Sequence, residues 1–270
     1  MASTFEVQNI SFSYEAIPAI QGLTLHIGEG DRIALLGPNG SGKSTLLRIL
    51  DALYFPSAGS VVFKGDALTE ERFQQDEFAV NFRRRVALVF QNPDVQLFNP
   101  TVFDELAYGP LQLQWSKEAV KRRVEETLDL MSIRHLRDRP PYRLSGGEKK
   151  RVALASVLVL DPEVLLLDEP TATLDPRSQS QVIDLIQQWK GTSKTVITAT
   201  HQLEIVEDIS DRCIVLEAGA QIAEGTPTEI LANADLLLRA NLIHAHRHAH
   251  DGVVHSHPHV HGHSGHEHEH

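Results

Sequence analysis

The segment Gly37-Pro38-Asn39-Gly40-Ser41-Gly42-Lys43-Ser44 constrains this chain more than any other. It fits the spacing G-x-x-x-x-G-K-[ST], and its flanks are those the spacing needs. Arg32-Ile33-Ala34-Leu35-Leu36 before it is a short apolar run that reads as a buried strand. Ser44-Thr45-Leu46-Leu47-Arg48-Ile49-Leu50 after it has helical periodicity and no breaker. Glycines let the main chain wrap closely around anionic oxygens with N–H groups turned inward, and the helix N-terminus adds partial positive charge. The pattern predicts a cradle in which Lys43 reaches the β- and γ-phosphates of a nucleotide and the Ser44 hydroxyl ligates Mg²⁺. A chance glycine-rich turn before Lys-Ser would account for the residues but not for both flanks.

The rest of the chain supplies the partners of that strand. Phe5–Ile10 and Leu23–Ile27 alternate apolar and polar residues and read as strands, with Gly28-Glu29-Gly30 as a turn. Val164–Leu167 and Thr195–Ala199 are further apolar runs of buried-strand type, and a helix-rich, proline-punctuated stretch from about 92 to 160 separates the first of them from the loop. Strands alternating with helices indicate an α/β fold with a parallel sheet. The middle stretch reads as a helical subdomain inserted into it.

Charge and composition narrow the function. The formal net charge is -11 and no basic stripe interrupts it, which argues against a nucleic-acid partner. The single cysteine, Cys213, lies in an apolar run and reads as a buried strand residue of a protein from a reducing compartment. The first residues lack the charged and apolar regions of a signal peptide, and the longest apolar stretch, Val152–Leu160, is far short of the roughly 20 residues a membrane span needs. The expectation is a protein soluble by itself, whose work on a membrane goes through a partner. From His244 onward the chain holds 12 of its 15 histidines among small residues, a composition that cannot bury a core and is expected to lack structure.

A second acidic site follows the Val164–Leu167 run. Asp168 and Glu169 stand at its carboxyl end, where parallel sheets collect their ligands. Asp168 is placed to hold Mg²⁺, and Glu169 to polarise the water that attacks the γ-phosphorus. Asp-Glu-Pro is also a common way to leave a strand; the phosphate loop makes the functional reading the stronger one.

Leu144-Ser145-Gly146-Gly147-Glu148 sets Ser145 and two glycines at a helix N-terminus, a second anion site. With it the chain resembles the ATP-binding-cassette ATPases, over about residues 4–240. The resemblance implies a P-loop NTPase core with a parallel sheet, an N-terminal antiparallel β subdomain and the inserted helical subdomain. It implies ATP and Mg²⁺ as cofactors, with Gly37 to Thr45 on the phosphates. Ser145, Gly146, Gly147 and Asp175 would lie at the interface with the nucleotide of a second ATPase subunit, the same or a related chain. By the same resemblance Tyr14 stacks on adenine, Gln91 senses Mg²⁺ and the membrane partner, and His201 contacts the γ-phosphate.

Two features resemble a branch of that family. Gln91-Asn92-Pro93-Asp94-Val95-Gln96-Leu97-Phe98, the run Pro100–Pro110 and the continuation Glu148-Lys149-Lys150-Arg151 are similar to the energy-coupling-factor importers of vitamins, cobalt and nickel. That resemblance implies a transmembrane coupling protein and a substrate-specific membrane protein as partners, at the cytoplasmic face of the membrane. Phe98 and Val102 would be apolar contacts to the coupling helix, or else packing within the helical subdomain. The tail residues His255, His257, His259, His261 and His263 alternate with small residues, and imidazole suits Ni²⁺, Co²⁺ and Zn²⁺. Nickel or cobalt import is the expectation; vitamin import with the tail as a metal buffer, and metal storage with a regulatory cassette, remain open.

Overall fold

The computed structural model describes residues 3–172, 174–250 and 253–259, of which 244–250 and 253–259 are described as backbone only. Ten strands build two sheets. Strands β1 (Ser3–Tyr14), β2 (Ile17–Gly28), β4 (Ala58–Phe63) and β5 (Asp66–Ala67) form an antiparallel sheet in the order β2-β1-β4-β5. Strands β3 (Arg32–Leu36), β6 (Val86–Val89), β7 (Val164–Asp168), β8 (Thr195–Ala199), β9 (Arg212–Glu217) and β10 (Ala220–Gly225) form the other, in the order β10-β9-β3-β8-β7-β6.

The central sheet is parallel through five strands, as the apolar runs predict, but β10 turns back antiparallel on β9. The reason is local. Ala218 (φ 48°) and Gly219 (φ 81°) both adopt the left-handed conformation that a two-residue hairpin turn demands, so no crossover helix is needed.

Strand β7 shows why its sequence is a continuous apolar run. Leu165 and Leu167 face a core shared with the helices at Val102–Gln112, Lys117–Leu130 and Gly146–Leu158, whereas Val164 and Leu166 face a core beneath the antiparallel sheet and helix Lys43–Leu50. All four are buried, each contributing about 1.5–3 kcal/mol by leaving water. Those three helices occupy the chain between β6 and β7, two strands that are neighbours in the sheet. Cys213 is fully buried in β9, and burial pushes its thiol up to about 11.

After the last cassette helix, the backbones of β11 (His244–His250) and β12 (Val253–His259) pair antiparallel. The side chains of His255, His257 and His259, and His261 and His263 altogether, lie outside the described residues.

Candidate active site

Parallel register decides where the site lies. Leu35 pairs with Ala199, Asp168 with Ala199, and Val89 with Leu167, so β3, β6, β7 and β8 end along one edge of the sheet. The loops that follow them carry Gly37–Ser44, Gln91, Glu169 and His201. Residues as far apart in the chain as Tyr14 and Glu169 thus meet around a cleft of about 510 Å³, lined also by Lys43, Ser44, Gln91 and Asp168 among others.

The loop owes its shape to three glycines with positive φ. A Cβ on Gly37 (φ 148°) would lie 2.3 Å from the Leu216 carbonyl oxygen, and one on Gly42 (φ 103°) 2.6 Å from that of Ala19. Gly40 (φ 82°) is different: its Cβ would meet nothing within 4 Å. Gly42 caps helix Lys43–Leu50 without any side-chain hydrogen bond to the first turn, so that turn offers its N–H groups to the cleft. The Lys43 ammonium donates to the carbonyl oxygens of Gly37 (2.7 Å) and Pro38 (3.0 Å), curling the loop around itself. Burial lowers the Lys43 pKa, against the raising effect of Glu169 and Asp168.

Across the cleft, the Ser44 hydroxyl donates to Asp168 Oδ1 at 3.0 Å. Glu169, next along, is buried and has φ 48°, a backbone conformation that turns its side chain off the strand line. His201 Nδ1 lies 2.8 Å from Glu169 Oε1, and the Thr200 hydroxyl lies 3.5 Å from its Oε2. The His201 ring is itself about half exposed. Gln91 is exposed on the lip of the cleft. Tyr14 sits at the β1–β2 hairpin tip, its hydroxyl 3.1 Å from that of Thr45 and its ring edge-on to Phe12 and Tyr54.

Ser145, Gly146, Gly147 and Asp175 do not line this cleft. Ser145 caps helix Gly146–Leu158 in a reciprocal box with Glu148: its hydroxyl accepts from the Glu148 N–H, and its own N–H donates to the Glu148 carboxylate at 2.8 Å. That backbone hydrogen bond holds the Glu148 pKa below its ordinary value. Gly146 is exposed with no positive φ, and a Cβ there would meet nothing. Asp175 caps the next helix through Ser178. Thr173, beside it, lies outside the described residues.

Sequence reasoning missed two buried charged residues, one beside the cleft and one in the helical subdomain. Lys150 is buried, and its ammonium donates to the carbonyl oxygens of Phe90 (3.0 Å), Gln91 (2.9 Å) and Asp168 (3.4 Å). Burial lowers its pKa to about 8, with Asp168 and Glu169 acting in the opposite direction. Glu105 is buried and accepts from the N–H groups of Phe98 and Asn99, fixing the loop before helix Val102–Gln112. A lysine among three charged neighbours carries no periodic signal that it turns inward. Of the two readings open for Phe98 and Val102, Val102 takes the packing one, fully buried in the helical core, whereas Phe98 is 66% exposed and stacks edge-on against Tyr108.

Over residues 20–172 the sequence matches the ABC transporter family. The chain belongs to that family. This ABC cassette is 53% identical over 246 residues to the nickel import ATP-binding protein NikO of Rhodobacter capsulatus, covering 90% of this chain and 97% of that one. It is 41% identical to the energy-coupling factor transporter ATP-binding protein EcfA of Methanothermobacter thermautotrophicus, over 88% of this chain and 75% of that one. Among solved structures, cbiO1 from Clostridium perfringens, part of the complex cbiONQ, superimposes with a TM-score of 0.74 at 34% identity, covering 90% of this chain and 96% of that one. The cassette MJ0796, in a dimeric post-hydrolysis state bound to ADP and Pi, gives 0.75 at 27%, over 83% and 98%. The chain is therefore an ATP-binding ABC ATPase of energy-coupling-factor type. Such cassettes hydrolyse ATP to power transport and work as dimers with membrane components. Among the described residues, no helix is long and apolar enough to cross a membrane, and no group of three or more His, Cys, Asp or Glu is placed to hold a metal ion.

Proposed function

We propose that this ATPase energises import of a transition-metal ion, nickel or cobalt. The observation that carries the metal reading is the 53% identity to a nickel import ATP-binding protein across nearly its whole length. The likeness to EcfA and to cbiO1 supports the assembly: two ATPase subunits, the same or related, with a transmembrane coupling protein and a substrate-specific membrane protein, at the cytoplasmic face of the membrane.

In this reading the Tyr14 ring stacks on adenine while the loop from Gly37 to Thr45 cradles the phosphates and Lys43 neutralises the β- and γ-oxygens. Ser44 Oγ and Asp168 Oδ1, 3.0 Å apart, with the Gln91 amide on the lip, are hard oxygen donors of the kind Mg²⁺ takes. Bound there, Mg²⁺ would offset charge on the phosphate oxygens. Glu169 acts as the base: its buried carboxylate accepts a hydrogen bond, and then the proton, from the attacking water, and His201, 2.8 Å away, orients it from the solvent side and reaches the γ-phosphate. Ser145, Gly146 and Gly147 present a helix N-terminus to the nucleotide of the second subunit, with Asp175 beside them. The open space around Gly146 supports this, because nothing in its own chain requires a glycine there.

A groove of about 600 Å³ beside Phe98, lined by Phe103, Tyr108, Leu111 and Val120, receives the coupling helix. The His-rich tail gathers the ion as it enters. The test is accumulation of radiolabelled nickel and cobalt in cells carrying the membrane partners with the wild-type chain, Glu169→Gln, a deletion of residues 244–270, or no chain. Loss of one ion without the chain and with Glu169→Gln supports the reading. Unchanged uptake of both refutes metal cargo and leaves a vitamin as the substrate to try.

A further inference from the structure

Helix Gly146–Leu158 grips the loop after β6 at three levels. Lys149 Nζ pairs with Asp94 at 2.6 Å. Gln96 donates to the Ala153 carbonyl (2.8 Å) and the Ser156 hydroxyl (3.0 Å), while its own oxygen accepts from the Phe90 N–H. The third grip is Lys150, and it differs from the other two. Its ammonium binds not only the Phe90 and Gln91 carbonyls but also that of Asp168, on the neighbouring strand end. One atom therefore joins the start of the helix bearing Ser145 to the main chain of two residues that line the cleft.

The chemistry suits a lysine. A primary ammonium offers three donors from a single atom, and three carbonyl oxygens face it. A glutamine amide offers two donors in one plane, and an arginine spreads its donors over a wider fork than this buried position leaves. Carbonyl oxygens carry no charge, so the lysine is not matched to a carboxylate here; what it fixes is the course of the main chain at Gln91 and Asp168.

We propose that Lys150 is a positioning residue, which sets the Gln91 and Asp168 side chains in register with the helix that begins at Ser145. Displacement of that helix, by a second subunit or a membrane partner, is thereby transmitted to the metal-holding side of the cleft. The inference rests on the proposed roles of Gln91, Asp168 and Glu169.

The full chain carrying Glu169→Gln, expected to hold ATP without consuming it, is titrated with ATP in EDTA and then with Mg²⁺ while loaded with ATP, by calorimetry. Adding Lys150→Gln is expected to raise the Mg²⁺ concentration for half-saturation about tenfold and to leave ATP affinity in EDTA within about twofold. With Glu169 intact, kcat falls about tenfold at an unchanged KM for ATP, and Lys150→Arg, which keeps the charge, recovers part of both losses. Should Lys150→Gln not fold, Lys150→Arg carries the test, with a smaller shift of the same kind. Unchanged Mg²⁺ half-saturation in the variants overturns the proposal, as does an equal loss of ATP affinity in EDTA. A parent chain indifferent to Mg²⁺ overturns the metal-holding reading, and this inference with it.

Discussion

Gly40 and Gly42 lie two residues apart in the same loop, both with positive φ, yet alanine should harm them differently. At Gly40 the added Cβ meets nothing within 4 Å, so the cost to the folded chain is the left-handed backbone alone, about 1–2 kcal/mol. At Gly42 the same strain is joined by a Cβ 2.6 Å from the Ala19 carbonyl oxygen and 2.9 Å from Ile20 Cδ1. The first contact is with backbone, which cannot rotate away, so β2 or the loop must shift. Overpacking of this kind adds about 1–3 kcal/mol. Gly42→Ala should therefore unfold in urea with a free energy about 2–5 kcal/mol lower than wild type, and Gly40→Ala about 1–2 kcal/mol lower. Nucleotide binding should not follow stability. Gly40 lines the cleft, and with open space around its Cβ an added methyl is free to crowd a bound phosphate, so ATP titration should show a loss of affinity in Gly40→Ala out of proportion to its mild destabilisation. Equal unfolding losses in the two variants would refute the argument from close approach.

Two further outcomes follow from side chains outside the cleft. Asp51 closes the C-terminus of helix Lys43–Leu50, and burial pushes its carboxyl up to about 7 despite the nearby Arg83 guanidinium. A raised acid binds its proton more tightly folded than unfolded, so its contribution is full below about pH 4 and is lost as pH rises toward 7. Urea unfolding of Asp51→Asn from pH 4.5 to 8 should show the variant gaining on wild type across that window, by at most about 1.4 kcal/mol per pH unit; a difference that ignores pH would refute it. Val102 and Phe98 separate packing from docking: Val102→Ala should cost about 1–3 kcal/mol in urea unfolding, whereas Phe98→Ser should leave unfolding unchanged and weaken co-purification with the membrane partners.

Much of the fold was legible because buried parallel strands write themselves as uninterrupted apolar runs. Arg32–Leu36, Val164–Leu167 and Thr195–Ala199 were visible for that reason. The phosphate loop was visible because its glycines serve a geometry few other residues tolerate. The stretch from Ala58 to Val89 was not. Its two helices meet β4 in an aromatic cluster, in which Phe82 meets Phe63 and Phe73 meets Phe55, Phe78 and Phe82 through space rather than at a helical or strand spacing. Lys150 was hidden for a sharper reason. A buried ammonium satisfied by main-chain oxygens leaves no partner of opposite charge to be found in the sequence, and Lys149 beside it, paired with Asp94 instead, looks identical. Val102 stayed open between a partner contact and core packing because apolar residues beside a loop read alike whether they face a partner or their own core.

Strand β3, which delivers the phosphate loop, has β8 and β9 as its only neighbours in the central sheet. During synthesis the loop therefore leaves the ribosome long before the strands that will flank it. Until about residue 199 has emerged, β3 has neither of its flanking strands, and its main-chain donors and acceptors are still open to other chains. The cassette is committed late: a growing chain holds most of its mass before it holds a nucleotide.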